Sequence, residues 1–205
     1  MNFRPILGFC VATMLGAGVA HAQLSVDVTD ESGNDLTIAV PVLPTPAATA
    51  TEAGSTDTLG RQIAEVIAAD LRGSGLFKPV GPGGIRAIGN DEVTAPQFDA
   101  WSASGAEALV QGYVRANANG ELTIGCYLYD VALKSELTRQ GYVIAPRDWR
   151  RAAHKCADAI YARLSGESPF FDSRIAYIAE SGPKNHRIKR LAIMDSDGAN
   201  QFILL

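Results

Sequence analysis

Apolar residues recur along this chain with two different periods, and the switches between them mark its elements. Gln23 to Asp30 alternates apolar and polar residues, the period of a half-buried strand. Glu31-Ser-Gly-Asn-Asp35 interrupts the alternation, and Thr37 to Leu43 resumes it as a β-branched run. Residues 44–58 are dominated by Pro, Ala and Thr with turn formers, which predicts a surface loop. Leu59, Ile63, Val66, Ile67 and Leu71 then fall on one helical face, and Gly73 and Gly75 close that helix. After a Gly81-Pro-Gly-Gly84 loop, a short helix from Pro96 to Gly105 carries Phe98 and Trp101 three residues apart.

Three strands are predicted next, over about 107–114, 121–130 and 137–144. In the middle strand Leu122, Ile124, Cys126 and Leu128 share a face. Pro146 sits where a first helical residue belongs. From there Trp149, Ala152, Ala153, Cys156, Ile160 and Leu164 line one side of a helix ending at Gly166. Arg150, Arg151, Lys155 and Asp158 form its opposite side, which reads as solvated, and His154 reads as a partly exposed helix residue. Strands joined by short turns and interspersed with helices predict an α/β domain, a mixed five-stranded sheet with covering helices, over residues 23–167.

Beyond Gly166-Glu-Ser-Pro169 the texture changes. Residues 174–179, 190–194 and 201–205 read as short strands with polar turns and no helix. Their spacing of about ten residues suggests a β-meander or a propeller blade. A lone three-stranded piece is a poor independent fold, so residues 172–205 read as an incomplete first blade whose continuation lies beyond Leu205.

Composition narrows the class. The chain is 47% apolar and 20% charged, as in ordinary globular proteins. A formal net charge of −4 argues against a nucleic-acid binder, which would normally carry a basic surface. Met1 to Ala22 has the Arg4 n-region, the apolar core and the Ala20-His21-Ala22 motif of a secretory leader, with cleavage between Ala22 and Gln23. Losing Arg4 with that leader takes the net charge from −4 to −5, and the mature chain keeps only Cys126 and Cys156. A secretory leader implies an oxidising compartment, the periplasm or outside the cell.

Candidate chemistry is sparse. There is no Gly-x-Ser-x-Gly elbow and no His-Glu-x-x-His pair, so neither a serine hydrolase nor a zincin is indicated. His154 and Cys156 are two residues apart, but no second pair exists to complete a structural zinc site, and no metal or cofactor is expected. Asp195-Ser-Asp-Gly-Ala-Asn200 lacks the acidic spacing and terminal Glu of a calcium loop and reads as a tight turn around Gly198. The short basic run His186–Arg190 reads as a solvated strand edge. Cys126 and Cys156 each lie on an apolar face. If the helix covers that face of the sheet, their sulfurs meet as a disulfide; otherwise they are two separate buried thiols.

Several longer stretches resemble the TolB family of periplasmic Tol–Pal proteins. They are Ala68-Ala-Asp-Leu-Arg-Gly-Ser-Gly-Leu-Phe77, Trp101-Ser-Ala-Ser-Gly-Ala-Glu-Ala-Leu-Val-Gln-Gly112 and Tyr127-Leu-Tyr-Asp-Val131. The most specific is Trp149-Arg-Arg-Ala-Ala-His-Lys-Cys-Ala-Asp-Ala-Ile-Tyr161 with Leu164-Ser-Gly-Glu167. Phe171–Ile178 and Met194–Gln201 resemble the family's entry into its first propeller blade.

The resemblance implies an N-terminal α/β domain followed by a six-bladed propeller, and a non-enzymatic role linking inner-membrane Tol proteins to the outer-membrane lipoprotein Pal during cell division. It implies that the extreme N-terminal segment, residues 23–35, is a mobile partner-binding strand for the inner-membrane protein TolA, with Leu24, Val26 and Val28 on one face. It places the main Pal-docking surface in the propeller, of which this sequence carries only the start, so Pal binding is not expected of this chain. The competing class is the accessory region of a secreted propeller-containing hydrolase.

Overall fold

The structure is a computed structural model that describes residues 35–204. The leader, its Ala22–Gln23 cleavage point and the candidate partner residues Leu24, Val26 and Val28 lie outside the described residues. A five-stranded mixed sheet forms the centre. Its strands are β1 (Leu36–Ala39), β4 (Phe77–Val80), β5 (Ala108–Ala116), β6 (Leu122–Asp130) and β7 (Ser135–Ile144), in the order β4-β1-β5-β6-β7. β1 runs parallel to both β4 and β5, whereas β5, β6 and β7 form an antiparallel meander.

Helices α1 (Thr56–Gly73) and α3 (Trp149–Ser165) pack against each other and cover one face of this sheet. The apolar stripes of both helices are buried as their spacing predicts, only Trp149 being partly exposed. Along β5, Ala108, Val110 and Val114 point into this core, while Leu109 points into a second one. The second core, on the other face, holds Trp101 from α2 (Phe98–Ala103) with Tyr127, Tyr129 and Val93. Burial on both faces explains why β5 and β6 are nearly continuous apolar runs.

Two details depart from the sequence expectations. The run 37–43 forms a strand only to Ala39, because Pro41 lacks the N–H needed to continue the ladder. The predicted loop 44–58 contains a small hairpin, β2 (Ala50–Thr51) with β3 (Gly54–Ser55), and the first turn of α1. Thr56 organises that stretch, since its buried hydroxyl donates to the Ala47 carbonyl (3.2 Å) and accepts from the Thr49 N–H (3.0 Å). β4 was not legible as a strand: it is four residues long and carries Pro79, which an edge strand tolerates.

Gly60 lets this connection lie flat on α1. A Cβ at this position would sit well inside contact distance of the Leu43 carbonyl oxygen. Helix propensity alone would make Gly60→Ala stabilising by about 1 kcal/mol. Here the close approach reverses the sign, and Gly60→Ala is expected to destabilise the protein by roughly 1–3 kcal/mol in urea unfolding.

Past Gly166, which ends α3 in the left-handed conformation (φ 74°), the chain forms a separate three-stranded antiparallel sheet. Its strands β8 (Arg174–Ser181), β9 (Ile188–Asp195) and β10 (Phe202–Ile203) form a meander, as predicted. Its side chains are far less covered than those of the α/β domain, and Ile178, Ile188 and Ile203 are each more than half exposed.

Candidate functional site

The residues with the most constrained chemistry gather at the seam where this small sheet meets α1 and α3. Phe171 is the apolar anchor: it is buried in the main core and meets Tyr161 edge-on. The Asp158 carboxylate accepts the Phe171 N–H (2.7 Å) and the Asp172 N–H (3.1 Å), so it fixes the chain where it leaves the domain. The Ser196 hydroxyl donates to the Phe171 carbonyl (2.6 Å), and Arg151 pairs with Asp172. The side of α3 that reads as solvated is therefore in part a docking surface. Asp158 and Arg150 are half-buried beneath the chain that follows them.

At the middle of the seam His154 is buried, which corrects the expectation of a partly exposed residue. Its Nδ1 lies 2.7 Å from Asp70 Oδ2 on α1, and both side chains are almost fully covered. Its Nε2 faces Asp197 Oδ2 at 3.7 Å and has no hydrogen-bond partner. Asp197 comes from the β9–β10 turn, where it also pairs with Arg150. That turn has the tight geometry expected around Gly198 (φ 83°), with the Gly198 N–H donating to the Asp195 carbonyl (2.9 Å). Its acidic residue does more than shape the turn, because it reaches across to the α/β domain.

The ionisation of the cluster follows from burial and charge together. Burial disfavours the His154 imidazolium, but the hydrogen bond and charge of Asp70, with Asp197 adding to them, outweigh it and raise the His154 pKa. Burial raises the Asp70 carboxyl above its ordinary value against the pull of His154. Partial burial works against the Asp197 carboxylate, yet the Ala199 N–H (3.0 Å) and the Arg150 guanidinium hold its pKa below the ordinary value.

Asp70, His154 and Asp197 offer three donor atoms within 4.8 Å of one another, the raw material of a cation site. The charge pattern does not suit one. His154 Nδ1 is committed to Asp70, and the Arg150 cation already occupies Asp197. The set works as an ion-pair cluster that joins three elements.

A signal for this cluster existed in the sequence. Asp70 stands three residues after Ile67 on the apolar face of α1, and His154 sits within the apolar stripe of α3. An acid and an imidazole in two apolar stripes point to a buried pair, but only once the two helices are known to pack together. On the sheet side of the same helix, Cys156 meets Cys126, with Cα atoms 6.0 Å apart and the two residues joined as a disulfide pair. Among the described residues no helix is long and apolar enough to cross a membrane.

Fold and seam define a class: a mixed-sheet α/β domain whose packed helix pair carries a second, antiparallel sheet on a buried ion-pair cluster. A family model described as the TolB amino-terminal domain matches residues 24–137. The chain belongs to that family. The Tol-Pal system protein TolB 1 of Novosphingobium aromaticivorans is 59% identical over 218 residues, covering 100% of this chain and 48% of that protein. The Tol-Pal system protein TolB of Sphingopyxis alaskensis is 72% identical over 145 residues, covering 71% of this chain and 32% of its own. TolB from Acinetobacter baumannii, known from a crystal structure, shares the fold with a TM-score of 0.66 at 23% identity, over 89% of this chain and 41% of that one. The chain spans about half the length of the curated relatives it matches.

Proposed function

We propose that this chain acts as a non-enzymatic periplasmic component of the Tol–Pal system, and that Gln23–Asp30 docks TolA by adding a strand to an open sheet edge. The observation that carries this reading is identity of 59% across the whole chain to a protein named for that system. The arrangement of the described domain supports it. β1 starts at Leu36 and is flanked by β4 and β5, so among the described residues both of its neighbours come from downstream in the chain. Strand addition draws affinity from backbone hydrogen bonds and specificity from alternate side chains, here Leu24, Val26 and Val28.

In this reading β8–β10 correspond to the start of the family's propeller, and Pal docking, which belongs to the rest of that propeller, is not assigned to these residues. The test is titration calorimetry of the full chain against the soluble periplasmic domain of TolA. Saturable one-to-one binding is expected. An absence of heat at concentrations up to the high micromolar range would sink the proposal.

A further inference from the structure

We propose that His154 is a pH-sensitive latch. Its imidazolium, held between Asp70 on α1 and Asp197 on the β9–β10 turn, keeps the three-stranded sheet on the α/β domain, and its deprotonation loosens that turn.

The argument starts from donors and acceptors. An ionised carboxylate only accepts, so the Asp70 contact at 2.7 Å requires the proton on Nδ1 of a neutral His154. Nε2 then has no hydrogen, and it faces a second carboxylate, Asp197, at 3.7 Å. A neutral imidazole in this position directs a lone pair at an anion. Protonating Nε2 converts that repulsion into attraction and leaves no lone pair unpaired.

Charge balance agrees. Three charged groups face His154 from the elements packed around it: Asp70 from α1, Asp197 from the turn and Arg150 from its own helix. Two carboxylates against one guanidinium leave one negative charge, which the imidazolium cancels. Nearby Arg151–Asp172 and Arg174–Asp195 pair among themselves. Asp197 is one-fifth exposed, so the cluster has contact with solvent through which a proton can exchange.

The sign of the effect is fixed by the direction of the shift. Asp70 neighbours His154 whether or not the turn is docked, so docking adds only the attraction of Asp197, and its contribution is complete below the His154 pKa of the undocked state. It is lost as pH rises through the higher, docked value.

The test uses the full chain. Imidazole resonances of His154 are followed by NMR from pH 5 to 9, and amide exchange in residues 195–203 is measured at pH 6 and 8.5, corrected for intrinsic chemical rates. His154 is expected to titrate above about 6.5. Protection of the β9–β10 turn should be lost progressively between the two pH values. Asp197→Asn should lower the His154 midpoint and flatten the pH dependence of exchange, while His154→Gln should abolish that dependence. If neither variant folds, the wild-type titration still decides. A His154 midpoint below 6.5, or protection that is unchanged between the two pH values, would overturn the latch.

Discussion

Deleting Gln23–Asp30 is expected to abolish TolA binding while leaving the melting temperature within about 2 °C of the undeleted chain. The reasoning rests on where the sheet begins. β1 receives its described bonds from within the domain: Leu36 N–H donates to the Leu76 carbonyl (3.3 Å), and Thr37 N–H donates to Glu107 Oε2 (2.9 Å). Among the described residues, both cores are assembled from Leu36 onward. Loss of an added strand should weaken binding by at least ~100-fold, close to 3 kcal/mol. Calorimetry for binding and differential scanning for stability, on the same sample, separate the possible roles. Unfolding of the deleted chain would make the segment a structural strand. Unchanged affinity would make it a tail with no part in docking.

Removing the Cys126–Cys156 pair is expected to cost the protein a large share of its stability. The disulfide would close a loop with a sequence separation of 30 residues. Loop entropy then contributes roughly 3–4 kcal/mol by constraining the unfolded chain. It also ties α3 to β6, so the helix that carries the seam is fixed to the middle of the sheet. For a domain of this size, Cys126→Ala with Cys156→Ala should lower the melting temperature by roughly 6–15 °C. Mass spectrometry of the oxidised, leader-free protein should find no alkylatable thiol before reduction. Two alkylatable cysteines under native oxidising conditions would refute the pairing.

Much of the α/β domain was legible because its elements write their burial into a local period. The stripes Leu59–Leu71 and Trp149–Leu164 locate α1 and α3, and the alternation from Leu122 to Leu128 locates β6 and its buried face. The strand boundaries at 108–116, 122–130 and 135–144 lie within about two residues of those expected. β4 was missed because four residues containing Lys78 and Pro79 are too few to show a period, and only pairing with β1 makes them a strand. The family resemblance lay in the same stretches, above all in Trp149–Tyr161 of α3.

His154, Arg150 and Asp158 were misread for one common reason. Each polar side chain looks solvated when its own helix is considered alone, because the partner that covers it lies far along the chain. Asp70 is 84 residues from His154, and Arg150 is 47 from Asp197. By itself, the sequence determined the periods, the caps and the apolar faces, which depend on neighbours within one or two turns. Only the tertiary structure decided that α1 lies along α3 and that the β9–β10 turn folds back over both. Whether a buried charge is stable depends on the partner it meets there, and no local pattern records that meeting.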